Sequence, residues 1–195
     1  MRMTRLEKYF VNRKKKSDRN IQILESDLRN MDLKKIKRVL EIGCGVGFVS
    51  SYLAENYDME VYGTDYDSEQ IQLANKLQPK LERLYYQVED VIKLSFNDSS
   101  IDLVISQNVF HHIPDWEKTI KEISRVLTPG GYFNWIDLTI PKLVRNIFNP
   151  FVKKYGLYTI DDFERYIEIN GFRMIINEKL HHGPLRQYHY LLRSS

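Results

Sequence analysis

Glu41-Ile42-Gly43-Cys44-Gly45-Val46-Gly47 sets one acid, three alternating glycines and a thiol side by side. Glycines there let the backbone approach a ligand closely and adopt positive φ. The run follows the apolar stretch from Val39 to Ile42. It precedes Phe48, Val49, Tyr52, Leu53 and Tyr57, which recur at helical spacing. The helix start beyond the loop would offer free N–H groups to an anionic group such as a carboxylate. A nicotinamide fingerprint, Gly-x-Gly-x-x-Gly, would need its third glycine where Phe48 stands. Here the third glycine comes one residue early and an acid precedes the first. The spacing argues against a nicotinamide cofactor. A tight strand–helix turn with no ligand is the plain alternative, and the acids downstream weigh against it.

Asp65 lies about twenty residues after the loop, at the end of the next strand, where an acid can accept from both ribose hydroxyls. It could instead cap the following helix, but Asp67 suits that role better, with Gln70 completing a capping box. Asp90 follows a third strand and could accept from an adenine amino group or be an ordinary loop acid. Gln107, Asn108, His111 and His112 follow a fourth strand, on the side where open α/β sheets bind ligands. The amides could contact either reactant. Each histidine titrates near neutrality and could take a proton from a substrate, or could only pack the loop. His181 and His182 read as surface residues of a late turn.

These groups need strands alternating with helices. Ser17 to Met31 carries Ile21, Leu24, Leu28 and Met31 at helical spacing, with Ser17 as N-cap. Val61 to Asp65, Leu84 to Val88, Ile101 to Ser106 and Tyr132 to Leu138 are predicted as the second to fifth strands. Trp116, Ile120, Ile123 and Leu127 form one helical face, and Pro129-Gly130-Gly131 makes the turn after it. Such alternation calls for a parallel sheet covered on both faces. Thr139 to Tyr158 has no clean period. Thr159 caps a helix that buries Phe163, Tyr166 and Ile167. The strands Phe172 to Leu180 and Leu185 to Leu192 then pair antiparallel around Gly183-Pro184.

The 195 residues suit one domain, 43% of them apolar, so a disordered chain is excluded. The net charge of +3 is too weak to argue for nucleic acid, although Arg13, Lys14, Lys15 and Lys16 form a local basic run. A solvated loop before a helix is the simpler reading of that run. With a single cysteine, Cys44, no disulfide within the chain and no cysteine-based zinc site can form, which fits a cytoplasmic protein. No apolar stretch suits a membrane span or signal peptide, and no set of residues is spaced as metal ligands.

Taken in order, these motifs resemble class I S-adenosylmethionine-dependent methyltransferases, of the type 11-like subgroup that includes many small-molecule enzymes. Val39 to Gly47 is similar to that family's first motif, Val61 to Asp65 to its second, and Glu89-Asp90-Val91 stands where it usually reads Gly-Asp-Ala. Ser106-Gln107-Asn108, His111 to Asp115 and Leu127 to Gly131 continue the likeness. The resemblance implies a Rossmann-like three-layer α/β/α sandwich. Its seven-stranded sheet would be mostly parallel, with the last strand antiparallel.

The resemblance also implies S-adenosyl-L-methionine as cofactor. Its contacts would be Glu41, Gly43, Cys44, Gly45, Gly47, Asp65, Tyr66, Asp90, Val91, Gln107 and Asn108. Asp65 would take the ribose, Asp90 the adenine amino group and the Val91 N–H a ring nitrogen. Glu89 departs from the pattern and adds a second acid there. His111 and His112 are the candidate catalytic residues, and no metal is expected. The expected reaction is methyl transfer to an oxygen, nitrogen or carbon atom of a small-molecule acceptor. An RNA methyltransferase using the basic run, or a non-catalytic cofactor-binding regulator, is the alternative. The expected divisions of the single domain are an N-terminal helical and lid segment (1–36), a cofactor-binding core (37–138), a lid-like insertion (139–158) and a C-terminal helix with two strands (159–195). The aromatics Tyr9, Phe10, Phe148, Phe151, Tyr155 and Tyr158 are the expected lid residues.

Overall fold

The computed structural model describes residues 14–147, 156–182 and 186–195. Tyr9, Phe10, Phe148, Phe151 and Tyr155 lie outside them, as does the Gly183-Pro184 turn. Seven strands form one sheet: β1 (Arg38–Ile42), β2 (Glu60–Asp65), β3 (Leu84–Val88), β4 (Ile101–Gln107), β5 (Leu127–Thr139), β6 (Phe172–His182) and β7 (Arg186–Ser194). Their order is β3-β2-β1-β4-β5-β7-β6. The pairs among β1 to β5 are parallel, and β7 runs antiparallel to both β5 and β6. The expected mostly parallel sheet with an antiparallel last strand is the one observed.

The helices are α1 (Lys14–Leu28), α2 (Phe48–Asn56), α3 (Ser68–Leu77), α4 (Trp116–Val126), α5 (Lys142–Ile147) and α6 (Ile160–Ile169). Each face of the sheet buries its own apolar cluster. One joins Leu24 and Leu28 of α1 and Val49 and Leu53 of α2 to Val39, Leu103, Ile105 and Leu191. The other joins Ile120 and Ile123 of α4 and Phe163 and Ile167 of α6 to Leu40, Val104, Phe133, Trp135 and Tyr190. The central strands are buried on both faces, which is why their sequences read as unbroken apolar runs.

Some local readings change. α1 extends through Lys14, so Ser17 is an interior residue rather than the N-cap; lysine is a good helix former and carries the helix outward. β5 begins at Leu127, and Pro129-Gly130-Gly131 forms an irregularity in its pairing with β4 instead of a separate turn. Gly130 supplies the positive φ of 79° that this bulge needs. His181 and His182 belong to the end of β6, opposite Gln187 and Arg186. Asp67 does cap α3, accepting from the Glu69 N–H at 3.0 Å. Thr159 and Asp162 form a reciprocal capping box at the start of α6. Tyr158, expected in a lid, is instead packed in the core against Trp116, ring centroids 4.7 Å apart. Its own backbone is tied to the residue after β5, the Ile140 N–H donating to the Tyr158 carbonyl at 3.0 Å.

Candidate active site

The strand order reverses between β1 and β4, and open α/β sheets leave a crevice at the carboxyl ends of two such strands. A cavity of about 320 Å³ lies there. Its wall includes Glu41, Gly43, Cys44, Gly45, Asp65 and Tyr66 from the first two strand ends, Asp90 and Val91 after β3, and Gln107, Asn108 and His112 after β4.

The glycine loop is held from two sides. The Cys44 N–H donates to the Thr64 carbonyl at 2.9 Å, and the Gly45 N–H to Asp65 Oδ2 at 3.0 Å. Asp65 Oδ1 accepts the Asp67 N–H at 2.9 Å. This buried carboxylate therefore fixes the loop as well as lining the cavity. Gly43 has φ 68°, and a Cβ there would stand 2.4 Å from a methyl of Val109 on the loop after β4. Only a glycine lets the two loops meet. Gly47 is placed differently from its neighbours: it is not part of the cavity wall. It precedes α2 with φ 81°, and its carbonyl accepts from the Tyr86 hydroxyl at 2.9 Å.

Glu41 is buried beneath the loop, and the Ser50 hydroxyl donates to it. Burial pushes its carboxyl up to about 7, partly opposed by Ser50, and the charge of Asp65 adds to the rise. Burial also pushes the Cys44 thiol well above its usual range, with Glu41 and Asp65 adding to the effect. The thiol is thereby kept from acting as a nucleophilic thiolate.

At the β3 end, Glu89 is committed elsewhere. It accepts from the Ser95 N–H at 3.1 Å, from the Ser95 hydroxyl, and from Gln87 Nε2 at 2.9 Å. Asp90 sits exposed at the rim, with Oδ1 accepting the Ile92 N–H at 3.2 Å. Tyr66 stands at the lip, 59% exposed.

The loop after β4 is organised by Asp137, a residue of β5 that sequence reading passed over. Its fully buried carboxylate accepts the N–H groups of Val109 at 2.9 Å and Phe110 at 2.6 Å, and also binds His111 Nδ1. The two histidines are thereby separated in role. His112 lines the cavity, whereas His111 does not and is tied to Asp137, the rings lying 4.0 Å apart between centroids. Ser17 and Asn20 of α1 also line the cavity. An acid inside the apolar run Tyr132 to Leu138 is the sequence signal for Asp137, since a buried charge needs several donors. Among the described residues, no three histidine, cysteine or acidic side chains are grouped as for a metal ion.

The fold and the cavity define a Rossmann-like α/β domain with a ligand crevice at the carboxyl ends of β1 and β4. Residues 40–134 match the model of the family described as a methyltransferase domain. The chain is 37% identical to a chloroplastic tocopherol O-methyltransferase of Arabidopsis thaliana over 120 residues, which span 57% of this chain and 34% of that one. It is 30% identical to phosphoethanolamine N-methyltransferase 3 of Arabidopsis thaliana over 152 residues, 76% and 31% of the two chains. The chain thus spans about a third of the length of these relatives. Among solved structures, a geranyl diphosphate C-methyltransferase from Streptomyces coelicolor A3(2) superposes with a TM-score of 0.74 at 13% identity, covering 92% of this chain and 81% of that one. That likeness speaks for the fold alone.

Proposed function

We propose that this chain binds S-adenosyl-L-methionine in the crevice between β1 and β4 and transfers its methyl group to an oxygen, nitrogen or carbon atom of a small molecule. The observation that carries this reading is convergence. The glycine loop, Asp65, Asp90, Gln107, Asn108 and His112 come from four separate strand ends and line one cavity. Gly43, Cys44 and Gly45 suit the amino-acid end of the cofactor, Asp65 the ribose, and Asp90 with Val91 the adenine. Glycines without Cβ atoms and the buried acid fit such a ligand. Gly47 acts behind the loop, and Tyr66 acts from the lip.

S-adenosyl-L-methionine supplies a methyl group on a positively charged sulfur, a leaving group that needs no further activation. The protein's work is then to align the acceptor and exclude water, which can lower the barrier by roughly 7–11 kcal/mol. His112 borders the space an acceptor would enter and can take a proton from it. His111, with its Nδ1 held by Asp137, has only Nε2 left to accept one. Ser17 and Asn20 support assigning the N-terminal segment as one wall of the acceptor site.

A cavity of this size suits a metabolite better than a phosphate-tracking groove. No helix among the described residues is long and apolar enough to cross a membrane. The lone buried thiol of Cys44 supports a cytoplasmic setting. The test is a turnover screen with radiolabelled methyl donor against metabolite and RNA pools. Label in a small-molecule fraction supports the proposal, whereas label in RNA alone would replace it with the RNA reading.

A further inference from the structure

A chain of polar groups crosses the apolar layer between α1 and the sheet and ends at the cavity. Asp27 of α1 is wholly buried. Its Oδ2 accepts from Asn134 Nδ2 on β5 and pairs with His189 Nε2 on β7 at 2.7 Å. The other ring nitrogen of His189 lies 3.6 Å from Glu178 Oε2. Asn134, also wholly buried, accepts through Oδ1 from Gln107 Nε2 at 3.1 Å. Gln107 Nε2 also reaches the Asn20 carbonyl at 3.4 Å.

The direction of each bond follows from one end. A carboxylate oxygen only accepts, so Asn134 must turn its NH2 to Asp27. Its carbonyl then faces Gln107, which must turn its own NH2 to Asn134. What remains is Gln107 Oε1, buried and without a hydrogen-bond partner among the described residues. The neighbouring Asn108 presents the opposite polarity. Its Oδ1 accepts from Gln187 Nε2 at 2.8 Å, and its Nδ2 has no such partner. Both residues line the cavity. A buried carboxylate is poor evidence of a stability role, because apolar packing would do as well or better. Fixing which end of an amide faces a ligand is a role that apolar packing cannot fill.

We infer that Asp27 and Asn134 are positioning residues that hold the Gln107 amide with its oxygen toward the ligand, as acceptor for the ammonium group at the amino-acid end of the cofactor. The inference rests on the methyltransferase reading above. It deepens that reading by extending the binding machinery to α1 and the middle of β5.

The experiment compares two probes, S-adenosyl-L-homocysteine and 5′-methylthioadenosine, which share the nucleoside and differ in the amino-acid end. Asn134→Leu removes the relay and leaves Asp27 with His189. It should weaken S-adenosyl-L-homocysteine about tenfold, the scale of one hydrogen bond to a charged group. It should leave 5′-methylthioadenosine within about twofold, which also reports a folded nucleoside site. Gln107→Leu should give the same pattern, and the double variant should be no worse than either single one. If Asn134→Leu fails to fold, Asn134→Ala is measured in the same way. Equal weakening of both probes, or no weakening of either, would overturn the relay. Failure of the unsubstituted protein to bind either probe would overturn the methyltransferase reading itself, and the relay with it.

Discussion

The Asp137 carboxylate accepts the backbone N–H of Phe110 at 2.6 Å, so a side chain of β5 fixes the loop that follows β4. The same carboxylate takes the Val109 N–H at 2.9 Å, and Val109 in turn packs where a Cβ on Gly43 would stand. One buried acid thus fixes the loop against which the glycine loop packs.

Replacing that acid should cost both stability and function. Asp137→Ala leaves the Val109 and Phe110 N–H groups and His111 without their acceptor. Unfolding in urea should report a loss of about 2–4 kcal/mol. Asp137→Asn keeps one acceptor oxygen and should lose less. A loss below about 0.5 kcal/mol for Asp137→Ala would show that the loop is held by other means.

Glu41 makes stability and ligand affinity pull in opposite directions with pH. Its carboxyl is raised from 4.5 to about 7 in the folded chain. The folded state therefore holds a proton that the unfolded state releases. Stability falls as pH rises from about 4.5 through about 7, by roughly 3 kcal/mol at most. Glu41→Gln should flatten that slope and raise the midpoint of thermal unfolding at pH 8, with little change at pH 4.5. Binding of a cationic ligand beside Glu41 should favour the ionised form, so affinity should rise between pH 6 and 8. The same pH slope in Glu41→Gln as in the unsubstituted chain would assign the effect to another group.

Asp65→Ala should weaken S-adenosyl-L-homocysteine more than Asp90→Ala does, by about a hundredfold against about tenfold or less, as measured by calorimetry. Asp65 would lose two ribose bonds and also its grip on the Gly45 N–H. Asp90 is exposed at the rim and would lose one bond. Glu89 cannot stand in for it cheaply, because Ser95 and Gln87 occupy its oxygens. Equal losses would reject the ribose assignment.

Much of this architecture is legible along the chain because its signals are local. Buried parallel strands read as apolar runs, and turns beside a ligand need glycines within a few residues of one another. Thr159 was found as a helix cap for the same reason. The rest depends on residues far apart in sequence. Asp27, Asn134 and His189 each sit in a segment that reads as ordinary helix or strand, and only the packing of α1 on β5 and β7 joins them. Gly47 and Gly63 belong to motifs that suggest a ligand. Yet a Cβ on either would stand within 2.6 Å of the Tyr86 ring or its hydroxyl, which makes them packing positions. The pair His111-His112 could not be resolved by spacing alone, because adjacent residues of a short turn diverge by an amount that only the loop's hydrogen bonds decide. Tyr158 failed as a lid residue for a related cause: aromatic side chains fill cores and pockets equally well.

The most direct measurement is a calorimetric titration of the unsubstituted chain with S-adenosyl-L-homocysteine, set against a parallel titration with NAD. The crevice between Gly43 and Gln107 should take one S-adenosyl-L-homocysteine per chain, saturably and in the micromolar range or tighter, and should give no saturable signal with NAD. Saturable NAD binding without S-adenosyl-L-homocysteine binding, or no binding of either, would contradict the assignment of this cavity.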